Sequence, residues 1–167
     1  MTGGSPFFVV LVRLTITAGI YGVLPELELL LWLRAVSGSP GKVLVVQPDE
    51  SVFDADTERV RTFRADEFTV SPERVAVLVE MLRSLGLPRR HPRIEDSGDP
   101  EIAWWADATL EVNLNGDSGR LEFGFGPDGV PGRDAAAMTG LFRTLFDCAS
   151  VRSAWSGFLT PRSEAGA

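Results

Sequence analysis

Phe8-Val9-Val10-Leu11-Val12-Arg13-Leu14-Thr15-Ile16-Thr17 is the stretch on which the fold turns. Val10, Val12, Leu14 and Ile16 fall at every second position, with Leu11, Arg13, Thr15 and Thr17 between them. A period of two sends these sets to opposite sides of a β-strand, whereas a helix needs a period near 3.6. From Ser5 to Pro25 the only charge is Arg13, so hydropathy alone would admit a membrane segment. A spanning helix takes about 20 uniformly apolar residues. Here Arg13, Thr15, Thr17, Gly19 and Gly22 interrupt the run, and β-branched residues dominate it. A signal peptide opens with positive charge, which Met1-Thr2-Gly3-Gly4-Ser5 lacks. The stretch reads as a strand of a soluble protein, with no membrane partner and a cytoplasmic location expected.

Downstream, Ala18-Gly19-Ile20-Tyr21-Gly22 breaks the pattern with two glycines, as a turn or bulge would. Pro25 to Val36 is leucine-rich, and Pro25 could open a helix. Leu27, Leu29, Leu31 and Leu33 nevertheless alternate strictly, which predicts a strand. Ser37-Gly38-Ser39-Pro40-Gly41 then leads into Lys42-Val43-Leu44-Val45-Val46-Gln47, the pattern of an antiparallel hairpin. Pro48 to Glu58 is an acidic loop, and Arg59 to Phe68 forms a further strand with Arg59, Arg61 and Phe63 opposite Val60, Thr62 and Arg64.

Pro72 to Leu85 is the clearest helix. Ser71 suits the N-cap, Pro72 the first turn, and Glu73 the positive helix end. Val75, Leu78, Val79, Leu82 and Leu85 make its apolar stripe, and Gly86 with Pro88 stops it. Arg89 to Glu101 reads as a mobile loop. Ala106 to Asn115 and Arg120 to Phe125 form a hairpin across the turn Asn115-Gly116-Asp117-Ser118-Gly119, with Leu110, Val112, Leu114, Leu121, Phe123 and Phe125 facing in. A last helix from about Arg133 to Ala149 carries Met138, Leu141, Phe142, Leu145, Phe146 and Ala149 on one side. Trp155 and Phe158 extend that packing. The fold class is α+β: a mostly antiparallel sheet of five to six strands with two helices packed on one face. One domain spans residues 1–167, with an ordered core over about 7–159 and fraying at 1–5 and 161–167.

Composition narrows function. With 44% hydrophobic and 23% charged residues, the chain is globular in character and not disordered. Sixteen basic against 23 acidic residues give a charge of −7, which argues against nucleic acid as partner. A single cysteine, Cys148, excludes an internal disulfide and a thiolate metal cluster. It falls on the apolar side of the last helix, where an inert buried thiol belongs. The single histidine, His91, lies among Arg89, Arg90 and Arg93 in an exposed loop, a poor setting for general acid–base work. Gly124-Phe125-Gly126-Pro127-Asp128-Gly129 matches a dinucleotide-binding loop, but Pro127 removes a donor and the preceding strand belongs to a hairpin. Asp54, Asp56 and Glu58 resemble the start of a calcium loop whose turn glycine is replaced by Arg59 and whose twelfth position is Ala65. Arg59, Arg61 and Arg64 balance these acids or form a patch for an acidic partner. No cofactor, no metal and no catalytic residue is expected.

What remains is recognition hardware. Ala18, Gly19, Ile20, Tyr21, Gly22, Val23 and Leu24 form a glycine-flanked apolar segment, suited to insertion into a partner's cleft or to the core. Trp104 and Trp105 offer aromatic anchors, or core, beside the start of the second hairpin. A protein partner is therefore expected, and an acidic surface also suits neutralisation of a basic toxin or enzyme. A small-molecule-binding α+β domain is the third reading.

The order of parts resembles the emfourin family, small proteinaceous inhibitors of thermolysin-like zinc metallopeptidases such as protealysin. The likeness rests on Arg13 to Gly22 with Leu27-Glu28-Leu29, on Ser71-Pro72-Glu73 with Leu82 and Leu85-Gly86-Leu87, and on Leu110-Glu111-Val112 through Phe123 to Leu141 and Leu145. The sequence departs from the family at Ala18, where a glycine is usual, at Tyr21, where a small residue is usual, and in a longer Lys42 to Phe68. The resemblance implies a non-catalytic module in which the Ala18–Leu24 turn occludes the cleft of a metallopeptidase.

Overall fold

The computed structural model describes residues 7–20, 23–48, 63–90, 104–125 and 133–148; the side chains of 18–20, 23–28, 48, 104–106 and 125 lie outside that description. Among the described residues six strands and two helices follow in the order β1 (Val9–Ile20), β2 (Val23–Val36), β3 (Gly41–Pro48), β4 (Phe63–Val70), α1 (Pro72–Ser84), β5 (Trp104–Leu114), β6 (Asp117–Phe125) and α2 (Ala135–Asp147). The fold is α+β. All pairings are antiparallel, and the spatial order is β4-β3-β2-β1-β5-β6. The stretch read first is thus the sheet's central strand, hydrogen-bonded on both sides.

Alternation along β1 is obeyed residue by residue. Val10, Val12, Leu14 and Ile16 are buried, while Leu11 and Arg13 are exposed and Thr15 and Thr17 half-buried. Leu29, Leu31 and Leu33 on β2, Val43 and Val45 on β3, and Ala108, Leu110 and Val112 on β5 continue the same buried layer through the register. Helix α1 closes this layer at β3, where a Cβ on Gly41 would stand 2.9 Å from Val75 Cγ2. Helix α2 closes it at β6, where Phe142 stacks on Phe123 with ring centroids 5.7 Å apart. Gly41 and Phe123 lie on the same side of the sheet by register, so both helices pack on one face. The helices also meet each other: Thr144 Oγ1 donates to Met81 Sδ, and Arg74 Nη1 to the Asp147 carbonyl at 3.1 Å. That last contact places a cation on unpaired carbonyls at a helix C-terminus.

The ends of α1 follow the expected signals. Ser71 Oγ accepts from Arg74 N, an N-cap contribution of about 1 kcal/mol. Val70 and Val75, both buried, hold the two positions of a hydrophobic staple. Gly86 takes φ +81° just after the helix, a conformation costly for any side-chain-bearing residue.

Several boundaries differ from expectation. β4 (Phe63–Val70) runs past the expected end at Phe68 to Val70; the expected start, residues 59–62, lies outside the described residues. The shift arises because Gly41 pairs with Val70, which keeps the strand extended up to the Ser71 cap. The turn expected over Asn115–Gly119 is only Asn115-Gly116, with φ +55° and +86°, and Leu114 already pairs with Asp117. Both central residues have positive φ, as a two-residue hairpin of this kind requires. β1 continues past Thr17 to Ile20, and of the turn or bulge expected over Ala18–Gly22 the register shift between Ala18 and Ile20 against β2 fits the bulge. The predicted ends of α2 also contract, and Ala149, Trp155 and Phe158 lie outside the described residues.

Candidate functional site

With two helices on one side, no element among the described residues covers the other face of the sheet, and its residues can be laid out from the register alone. Across the middle run Glu67, Leu44, Trp32, Arg13, Glu111 and Arg120, one from each strand in spatial order. Beside this row run Thr69, Lys42, Arg34, Leu11, Asn113 and Ser118. Val9 and Val36 pair at the end of the sheet nearest that second row. Trp32 is 48% exposed, and Val9, Leu11 and Val36 are each 40% exposed or more. An antiparallel sheet that leaves one face to water normally lines it with polar side chains. This face sets a tryptophan and three aliphatic side chains, in mutual register, among its polar ones.

Leu11 and Trp32 form a divide between two grooves. The larger, of about 840 Å³, continues over Val9, Val36, Lys42 and Leu44 toward Pro40. The smaller, of about 380 Å³, lies toward β5 and β6 between Arg13, Glu111, Asn113 and Arg120. Charges on the face are unevenly matched. Glu111 stands 3.6 Å from Arg13 and 3.7 Å from Arg120, and Arg120 also engages Glu122. Lys42 stands 3.7 Å from Glu67 and donates to Thr69 Oγ1 at 3.1 Å. Arg34 has no ion pair among the described residues, although it is exposed and lies directly across from Lys42.

The sequence-predicted site residues are brought partly together. Gly19 pairs with Trp105 and Ile20 with Trp104, so the end of β1 lies against the start of β5, while Ile20 also pairs with Val23 across the hairpin. Trp104 and Trp105 are strand residues rather than a prelude to the hairpin. Val23 and Leu24 begin β2; Tyr21 and Gly22 lie outside the described residues, as do His91 and the acidic Asp54, Asp56 and Glu58. Of the arginine trio, Arg64 pairs with Asp66 at 2.7 Å on its own strand, and Arg59 and Arg61 lie outside the described residues. Gly124 and Phe125 of the glycine-rich motif are β6 residues paired with Asp107 and Ala106; residues 126–129 lie outside the described residues.

No family model, curated protein or solved structure matches this chain. Among the described residues, no helix is long and apolar enough to cross a membrane, and no three His, Cys, Asp or Glu side chains gather as metal ligands.

Cys148 is a free, buried thiol at the C-cap of α2. Burial raises its pKa above the ordinary 9.0, partly offset by the positive charge of Arg74, with the Asp147 carboxylate adding to the rise. A thiol held protonated is a poor nucleophile. Gln47 is the buried polar side chain among the described residues, and its Oε1 has no hydrogen-bond partner among them.

Trp32 is the residue that sequence reading passed over. Its signal is nevertheless present: in an alternating strand whose core positions are Leu29, Leu31 and Leu33, Trp32 occupies the opposite set. A large aromatic at a solvent-side position is the kind of residue that anchors interfaces.

Proposed function

We propose that the chain is a non-catalytic protein-binding module whose docking surface is the open face of the sheet, centred on Trp32. One observation carries this reading: the sheet is helix-covered on one side while its other side exposes Trp32, Leu11, Val9 and Val36 between two grooves. Exposed aromatic and aliphatic side chains in one contiguous patch are the signature of an interaction surface, and Trp and Arg are the residues that most often dominate binding energy there. The stiff antiparallel scaffold holds them in fixed register, which lowers the ordering cost of association.

A photo-crosslinking amino acid at position 32 tests this, with Val77 as control because it is an exposed apolar residue on helix α1. Specific protein adducts from position 32 and none from position 77 are expected. Identical adducts from both positions, or none from position 32, would remove the reading.

A second reading follows the emfourin resemblance: inhibition of a thermolysin-like metallopeptidase by the Ala18–Leu24 segment. It is favoured by the register that sets Gly19 and Ile20 against Trp105 and Trp104, bringing both sequence-predicted recognition segments to one end of the sheet. Titration of purified thermolysin-like peptidases with the chain, and with Ile20→Ala and Tyr21→Ala variants, decides it. Full peptidase activity at saturating wild-type protein would eliminate this second reading and leave the first intact.

A further inference from the structure

We infer that the segment docking on this face is acidic and apolar, placing a carboxylate on Arg34 and an aliphatic or aromatic side chain over Trp32 and Leu11. The inference rests on the docking reading above and adds the partner's chemistry to it. Trp32 is surrounded on the register by three cations: Arg13 directly opposite on β1, Arg34 two residues along β2, and Lys42 diagonally on β3. Arg13 and Lys42 each have a carboxylate within 3.7 Å, but Arg34 has none among the described residues. Arg34 and Lys42 are cross-strand partners, an arrangement of like charges that destabilises a sheet. A fold of charge −7 nevertheless keeps that pair next to the exposed Trp32. An incoming carboxylate relieves this repulsion and can accept two parallel hydrogen bonds from the guanidinium. The groove beside it, of about 840 Å³, takes the apolar part on Val9, Leu11, Trp32, Val36 and Leu44, with Arg34 also in its lining and its one carboxylate, Glu67, engaged by Lys42. It is open to solvent, which suits a peptide segment of a partner protein.

Panning a random peptide phage library against wild-type protein, Trp32→Ala and Arg34→Glu tests this. Both residues are exposed, and circular dichroism with thermal melts confirms that the variants fold. The expected result is a consensus that pairs Glu or Asp with Leu, Phe or Trp, with synthetic peptides of that consensus losing about tenfold or more in affinity on either variant. Replacing their acids with Gln should cost about as much on wild type and nothing on Arg34→Glu. A Trp32-dependent consensus without acidic bias overturns the inference while keeping the docking face. Peptides indifferent to Trp32, or no enrichment, overturn the acidic-segment inference, and the crosslinking result then judges the face separately. Self-association that disappears in Trp32→Ala, seen by sedimentation, would overturn it by giving the face to a second copy.

Discussion

Gly119 makes an exacting test of how the helical layer meets the sheet. It lies within β6, opposite Val112, and its φ is not in the left-handed region, so the backbone itself would accept alanine. Space would not. A Cβ there would stand 2.3 Å from the Pro88 carbonyl oxygen, 2.9 Å from Pro88 Cβ and 3.0 Å from Pro88 C. Two of those atoms are main chain and cannot rotate away. Pro88 is in turn held by the α1 exit, where Leu87 N donates to the Leu82 carbonyl at 3.0 Å and Arg90 N to the Gly86 carbonyl at 2.7 Å. Gly119→Ala must therefore separate β6 from the α1 exit by about 1 Å to restore ordinary contact. Overpacking of this kind costs about 3 kcal/mol, and the loss of unfolded-state freedom on replacing glycine returns about 0.5 kcal/mol. The net destabilisation is about 2.5 kcal/mol, or about 1 M in the urea midpoint for a slope near 2 kcal/mol/M. Gly38→Ala and Gly116→Ala separate conformation from contact, because both glycines have positive φ and nothing within 4 Å of a built Cβ. Each should cost about 1 kcal/mol. Urea unfolding followed by circular dichroism reads all three. If Gly119→Ala lies within about 0.5 kcal/mol of wild type, or above Gly38→Ala in stability, the packing argument is wrong.

Two further outcomes follow from buried groups. Gln47→Leu should be neutral or stabilising by up to about 1 kcal/mol, because it removes an unpartnered buried carbonyl while keeping volume; a loss above about 1 kcal/mol in urea unfolding would show that the amide is satisfied. Cys148 favours the neutral thiol when folded, so its folded pKa lies above the unfolded one. Its stability contribution is fully present below pH 9.0 and is lost as pH rises through the raised folded value, because the unfolded thiol ionises first. Thiol labelling at neutral pH should therefore be slow until urea unfolds the chain, and Cys148→Ala should flatten the decline of the urea midpoint above pH 9.0. Rapid labelling of folded protein would contradict the burial.

What was legible in the sequence was whatever a single period decides. Val10 to Ile16 and Leu29 to Leu33 alternate against a core on one side only, and each residue lies where that period puts it. Val75, Leu78, Val79 and Leu82 do the same for α1. Errors came where one composition has two causes. Asp117, Ser118 and Gly119 look like turn residues, yet all three are strand: Ser118 is polar because it faces water, and Gly119 is bare because Pro88 occupies the place of a side chain. The true turn is revealed by Asn113 and Asn115. Asn113 Oδ1 accepts from Gly116 N, and Asn115 Oδ1 accepts from Val9 N, tying the hairpin to the start of β1. The β4 shift came from long-range pairing with β3, which no local window contains. Trp32 was hidden for a different reason. Within a run of leucines it looks like more core, and only the assignment of faces turns it outward.

That assignment also changes what the net charge means. An overall −7 suggests a basic partner only if the partner meets the average surface. At physiological ionic strength a charge is felt over about 8 Å. A segment lying on Trp32 therefore responds mainly to its own neighbourhood. On one side of that tryptophan Glu111 divides itself between two arginines, and on the other Glu67 serves Lys42, which leaves Arg34 without a carboxylate among the described residues. The carboxylates that make the chain acidic raise the cost of a wrong approach by any anionic segment elsewhere. The open face lowers that cost at Arg34. Repulsion over most of the surface and attraction at Arg34 together make a selective device, because an acidic segment gains by binding only where its apolar side chain also finds Trp32.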